Sequence, residues 1–167
     1  MTNRKILTLP GVLARVRVAR KAGHTIVTTN GCFDLLHPGH AQYLAAAKKL
    51  GTLLFVGVNS DASVRANKGP GRPVNNEQSR MAMLAALSAV DGVFVFREKD
   101  PIRFIEAIRP NIHVKGGDYQ GRILEQDAVE RSGGRVRLLT FLPGHSTTRL
   151  IARIVRASGR KKRKKKA

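Results

Sequence analysis

Two short apolar runs constrain the fold of this chain most: Thr25-Ile26-Val27-Thr28-Thr29 and Leu53-Leu54-Phe55-Val56-Gly57-Val58. Each is rich in β-branched or large apolar residues and is bounded by turn-forming residues, as a buried strand is. Between them, Ala41 to Leu50 is dense in Ala, Leu and Lys, which favours helix. Strand, helix and strand in that order make a βαβ unit, whose parallel strands need cover on both faces.

The alternation continues in both directions. Leu9 to Ala22 carries Leu13, Val16 and Val18 among Arg and Lys, an irregular amphipathic helix that ends near Gly23. Ser63 to Val74 holds Lys68, Gly69, Pro70, Gly71, Arg72 and Pro73, a composition that predicts a mobile loop. Asn75 with Gln78 then reads as a capping box, opening a helix whose apolar face is Met81, Leu84, Ala85 and Leu87. Val93 to Phe96 is a third strand, Ile102 to Ile108 a helix stopped by Pro110, and Ile112-His113-Val114 a fourth strand. Ile123 to Arg131 is a further helix, Val136 to Leu139 a fifth strand, and Ser146 to Ala157 a closing helix capped by Ser or Thr. The expectation is α/β: a Rossmann-like domain with a five-stranded, mainly parallel sheet and helices on both faces. It spans residues 25–157, after an N-terminal helical segment at 1–24 and before a disordered basic tail at 158–167. A chain of 167 residues suits one core of ordinary size.

In such sheets ligands lie beyond the carboxyl ends of the strands. The first of those ends leads into Asn30-Gly31-Cys32-Phe33-Asp34-Leu35-Leu36-His37-Pro38-Gly39-His40. Pro38 fits the first helical position, and His37 and His40, three residues apart, share one face at the positive end of that helix. An anion is the natural ligand there. Neither G-x-x-x-x-G-K-[ST] nor a G-x-G-x-x-G after a strand occurs, so phosphates must be held another way. Ser146, Thr147 and Thr148, at the start of a second helix, supply further donors. Zinc is disfavoured, because Cys32 is the single cysteine and three or four protein ligands are normally needed. Without a carboxylate cluster, no protein-built metal site is expected.

Charge narrows the partners. The formal net charge is +20. Without the seven basic residues of Arg160 to Lys166, 24 Lys and Arg still face 11 Asp and Glu. That surplus suits anionic substrates, and with aromatics at 5% there are few stacking platforms for single strands. The tail is read as a solubilising segment in preference to a contact with RNA or anionic lipid. No apolar run is long enough to span a bilayer and no signal-peptide core is present, so a cytoplasmic protein is expected.

Four blocks in order resemble the HxGH nucleotidyltransferases, and more narrowly the heptose 1-phosphate adenylyltransferase branch. They are Thr29 to His40, Val58-Asn59-Ser60-Asp61 with Lys68, Val114-Lys115-Gly116-Gly117-Asp118-Tyr119, and His145-Ser146-Thr147-Thr148-Arg149-Leu150-Ile151. The resemblance implies transfer of an adenylyl group from ATP, with Mg²⁺ carried on its phosphates, to a sugar 1-phosphate, releasing pyrophosphate. It also implies a homodimer and a sugar kinase on another polypeptide. His37, His40 and Lys68 would be catalytic. Cys32, Phe33, Asp34, Gly39, Gly144, Ser146, Thr147 and Thr148 would hold the nucleotide, and Asn59, Asp61, Arg80, Lys115, Gly116 and Asp118 the substrate. Related cytidylyltransferases carry Arg-Thr shortly before the glycine of the last block, where this chain has Phe141-Leu142-Pro143-Gly144. The runs Gly71-Arg72-Pro73-Val74-Asn75 and Lys115 to Tyr119 resemble the heptose branch instead. The competing readings are a cytidylyltransferase acting on glycerol 3-phosphate or another polyol phosphate, and a non-catalytic basic module that binds RNA or nucleotides.

Overall fold

Five strands, β1 (Ile26–Gly31), β2 (Leu53–Asn59), β3 (Gly92–Phe96), β4 (Ile112–Gly116) and β5 (Arg135–Leu139), form one sheet ordered β3-β2-β1-β4-β5. Every neighbouring pair is parallel. The computed structural model describes residues 3–117, 123–140 and 144–164 of the chain, with side chains up to residue 158. Asp118 and Phe141-Leu142-Pro143 therefore lie outside the described residues.

Alternation along the strands produces two cores, one on each face. Val27, Leu54, Val56, Val58, Val93, Ile112 and Val114 face α2 (Pro38–Lys48) and α4 (Glu77–Ala85), which contribute Tyr43, Leu44, Ala47, Leu84 and Ala85. Ile26, Phe55, Phe94 and Phe96 face α1 (Leu9–Lys21), α5 (Ile102–Ile108) and α6 (Gln126–Arg131). Phe104 of α5 packs edge-on against Phe94, with ring centroids 5.2 Å apart. His113 is buried on this second face and shares a 2.9 Å hydrogen bond with Thr28 through Nδ1.

The order β3-β2-β1-β4-β5 puts β1 at the centre. Connections after β1 run toward β2 and β3, whereas β4 and β5 lie on the other side, so the crossovers diverge at the C-terminal ends of β1 and β4. That is the topological switch point where open α/β sheets bind ligands.

Two expectations are corrected. The region read as a loop from Ser63 is helical as far as Lys68: α3 (Asp61–Lys68) is capped by Ser60, whose hydroxyl accepts from the Ser63 amide. Glycine and proline only begin after Lys68, so they end this helix and do not prevent it. The cap of α4 is Asn76, accepting from the Ser79 amide at 2.8 Å, and not Asn75, whose own amide donates to Asp34. The last helix, α7 (Thr147–Lys164), is the longest of the described helices.

Candidate functional site

The cleft at the switch point has a volume of about 460 Å³. It brings together Cys32, Phe33, Asp34, His40, Asn59, Lys68, Lys115, Gly116, Thr147 and Thr148 from the expected residues. Asn30, Gly31, Tyr43 and Arg72, which the sequence did not single out, also line it.

Its centre is the turn from β1 into α2. Phe33 has φ +45°, a strained conformation for a bulky residue, and its ring lies 5.4 Å from that of His40. A Cβ at Gly31 would stand 3.1 Å from the Phe33 ring, so a side chain there would push that ring by a few tenths of an ångström. His37 is the N-cap residue of α2, and its ring stacks on His40 with centroids 3.8 Å apart and planes 22° apart. Gly39 sits between them and the start of α7. A Cβ there would approach the His37 ring at 3.1 Å and the Cβ of His145 at 3.3 Å.

Both histidines are neutral near pH 7. Burial, and then the neighbouring His37, lower the His40 pKa from 6.5 to about 4. Burial, and then His145, lower that of His37. In both rings Nδ1 is buried and has no hydrogen-bond partner. An unpaired buried nitrogen costs about 1–3 kcal/mol; the stacked rings stand at the positive end of a helix, where an anion is favoured.

Burial also depresses the His113 pKa, to about 3. The unfolded chain binds protons at these histidines from about pH 6.5 downward, while folded His40 and His113 stay neutral until about pH 4 and 3. Their contribution to stability is complete above pH 6.5 and declines as the pH falls through that window, at up to about 1.4 kcal/mol per pH unit for fully buried His113. Denaturant midpoints measured at pH 7.5, 5.5 and 4.5 should fall in that order. A flat profile would contradict the neutral, buried state of these rings.

Asp34 fixes one wall. Its carboxylate accepts from the amides of Val74 and Asn75 at 2.8 and 3.0 Å and from Arg72 Nε at 2.5 Å. Burial alone would raise its pKa, but the Asn75 and Val74 amides and Arg72 outweigh it and hold the group below the ordinary carboxylate range. Asp34 thus ties the 72–75 loop to the β1–α2 turn. Lys115, at the end of β4, pairs at 2.5 Å with Glu125, a buried acid the sequence gave no reason to single out.

Lys68 stands at the end of α3, ahead of Gly69, and not on a flexible loop. Arg80 and Asp61 are corrected more strongly. Arg80 is 1% exposed and donates to the carbonyls of Asn75, Cys32 and Asn59 at 3.1, 2.6 and 2.7 Å and to Asp61 Oδ1 at 2.8 Å. With its donors engaged this way, it braces the cleft from behind, with Asp61 as its counter-ion. Ser146 accepts from the Arg149 amide at 3.2 Å as the cap of α7, leaving Thr147 and Thr148 to face the cleft. Gly144, with φ +83°, turns the chain just before that cap.

Among the described residues no three His, Cys, Asp or Glu are grouped to hold an ion. Asp34 is engaged, and burial raises the Cys32 thiol pKa despite the opposing influence of Lys68, Arg80 and Arg72.

Comparison with known proteins agrees with this geometry. The model of the cytidylyltransferase-like family matches residues 28–152. The bifunctional protein HldE of Syntrophotalea carbinolica is 52% identical over 141 residues, which is 84% of this chain and 29% of that protein. Its counterpart from Halorhodospira halophila is 56% identical over 146 residues, 87% of this chain and 31% of that protein. The chain therefore spans under a third of the length of these relatives. The solved structure of the lipopolysaccharide core biosynthesis protein from Thermoplasma volcanium is 33% identical with a TM-score of 0.60, covering 72% of this chain and 98% of that one. Pantoate-beta-alanine ligase from Francisella tularensis, 15% identical with a TM-score of 0.55 over 81% of this chain and 66% of that one, shares the fold.

Proposed function

Because the chain belongs to the cytidylyltransferase-like family, we propose that it transfers an adenylyl group from ATP to a heptose 1-phosphate, yielding ADP-heptose and pyrophosphate. The observation that carries this reading is the stacked His37–His40 pair at the start of α2, with the start of α7 alongside. Identity above 50% to proteins named HldE supports the heptose branch, as does the Gly71 to Asn75 run over the cleft.

In the reaction an oxygen of the sugar phosphate forms a bond to the α-phosphorus of ATP. The bond from that phosphorus to the bridging oxygen breaks, and its electron pair departs with pyrophosphate. The attacking group, with a second phosphate pKa of about 6, is already a dianion at neutral pH, so no general base is required. Catalysis is then positioning and charge stabilisation. Neutral His40 presents a ring N–H to phosphate oxygens with His37 stacked on it at the same helix start, and Lys68, Arg72 and Lys115, the last two paired with Asp34 and Glu125, line the same cleft. The nucleotide enters as its Mg²⁺ complex, the ion held by phosphate oxygens. A cytoplasmic homodimer supplied with substrate by a sugar kinase completes the reading.

The test is pyrophosphate release by the purified protein, with ATP, CTP, GTP and UTP each tried against heptose 1-phosphate and glycerol 3-phosphate. Turnover confined to ATP with the heptose phosphate is expected. A preference for CTP with glycerol 3-phosphate would overturn it in favour of cytidylyl transfer.

A further inference from the structure

The helix α7 leaves the cleft and becomes solvent-exposed on all sides. From Ala152 to Ser158 every residue is exposed, Ile154 at 51% and Val155 at 64%. These two exposed apolar side chains do not stand alone. Leu150 and Ile154 form one side of an apolar groove of about 530 Å³ whose other side includes Leu36 and Met83, the latter 54% exposed.

The opposite side of the helix is as regular as the apolar side. Arg149, Arg153 and Arg156 recur at intervals of four and three residues, which places them on one stripe about 10 Å long, and Arg160 and Arg163 continue that spacing in the sequence. Leu150, Ile151, Ile154 and Val155 fall on the other side. The helix contains no acidic residue, and none occurs anywhere in the chain after Glu130. Repulsion along Arg160 to Lys164, together with Gly159, works against helix in water. What favours it is an external surface that is both anionic and apolar at a depth of a few ångströms.

We propose that α7 is an interfacial helix that docks this protein on an anionic lipid bilayer, its arginine stripe among the headgroups and Ile154 and Val155 at the acyl boundary. A low overall hydrophobicity with strongly segregated faces distinguishes such helices from spanning ones, and no described helix is long and apolar enough to cross a membrane. Charge complementarity supplies long-range attraction, and the exposed apolar pair selects a bilayer over other polyanions. A nucleic acid would use the arginines but has no place for Ile154 and Val155, and this chain has no tryptophan and 5% aromatics for stacking. The face is placed so that the N-terminal end of the docked helix carries Thr147 and Thr148 of the cleft.

The experiment is co-sedimentation of the full chain with vesicles of phosphatidylglycerol and phosphatidylcholine, against vesicles of phosphatidylcholine alone. Binding to the anionic vesicles only is expected, weakened on the order of tenfold or more by raising the salt. Ile154→Ser with Val155→Ser should weaken it roughly tenfold, as should Arg153→Gln with Arg156→Gln. Because all four side chains are exposed, these variants should fold and retain pyrophosphate release in the absence of vesicles. Far-ultraviolet circular dichroism should show added helix on binding. Failure to bind anionic vesicles overturns the proposal. So does binding that the Ser variants leave unchanged while single-stranded RNA competes for it, which would identify a nucleic-acid face. A dimer broken by the Ser variants, without vesicle binding, would identify a second copy of the chain as the occupant and overturn it too.

Discussion

His40→Ala is expected to slow pyrophosphate release from ATP and heptose 1-phosphate by about a hundredfold to a thousandfold, the usual effect of losing one preorganised donor to a developing negative charge. The size follows from how the ring is held. Its plane is stacked 3.8 Å from His37, and its position is fixed by the turn through Phe33. With a pKa near 4 it donates as a neutral imidazole, so between pH 6 and 8 its own titration should leave the rate unchanged. Steady-state rates on the purified variant, with thermal unfolding as the control, measure this directly. The unfolding midpoint should not drop sharply, because the Nδ1 nitrogen is unpaired in the protein and its removal relieves a cost. His37→Ala should behave similarly. A variant of either residue with full activity would remove the basis of the proposed chemistry.

Arg80→Ala should do the reverse, unfolding the protein more than it alters binding. Its guanidinium holds the carbonyls of Cys32, Asn59 and Asn75 and the carboxylate of Asp61 together behind the cleft. Removing one partner of a buried pair leaves the others without compensation, a cost of about 3–5 kcal/mol. In a domain of this size the midpoint should fall on the order of 10 °C. Lysine should not rescue it, since a single ammonium cannot reproduce a planar fork reaching several acceptors. Differential scanning calorimetry decides between the two roles for this residue. An unchanged midpoint with a raised KM for ATP would make Arg80 a phosphate ligand after all.

Arg80 also illustrates what a sequence conceals. The five strands were legible because each is a short apolar run, and the structure moved their ends by only one or two residues. β1 and α2 were legible together, since Pro38 and the two histidines mark a helix start without any tertiary information. An arginine on an amphipathic helix, by contrast, looks the same whether it faces solvent or the core. Only the proximity of Cys32, Asn59 and Asp61, residues 19 to 48 positions away in the chain, reveals its role. Glu125 was hidden for the same reason, its partner Lys115 being on a different element. α3 was missed because the glycines and prolines just beyond it were allowed to colour the residues before them.

The central place of β1 has a consequence for how the protein comes into being. One edge of β1 pairs with β2, about 27 residues along, but the other waits for β4, with Thr28 set against His113. Closing a segment of some 85 residues is entropically slower than closing a βαβ unit. The histidine turn, local to the first unit, is able to form early, whereas Lys115, Thr147 and Thr148 reach it only after the second half of the sheet has been laid down. The complete cleft is therefore a late event on the folding path, assembled only when β4 and the start of α7 join a turn that local contacts have already shaped.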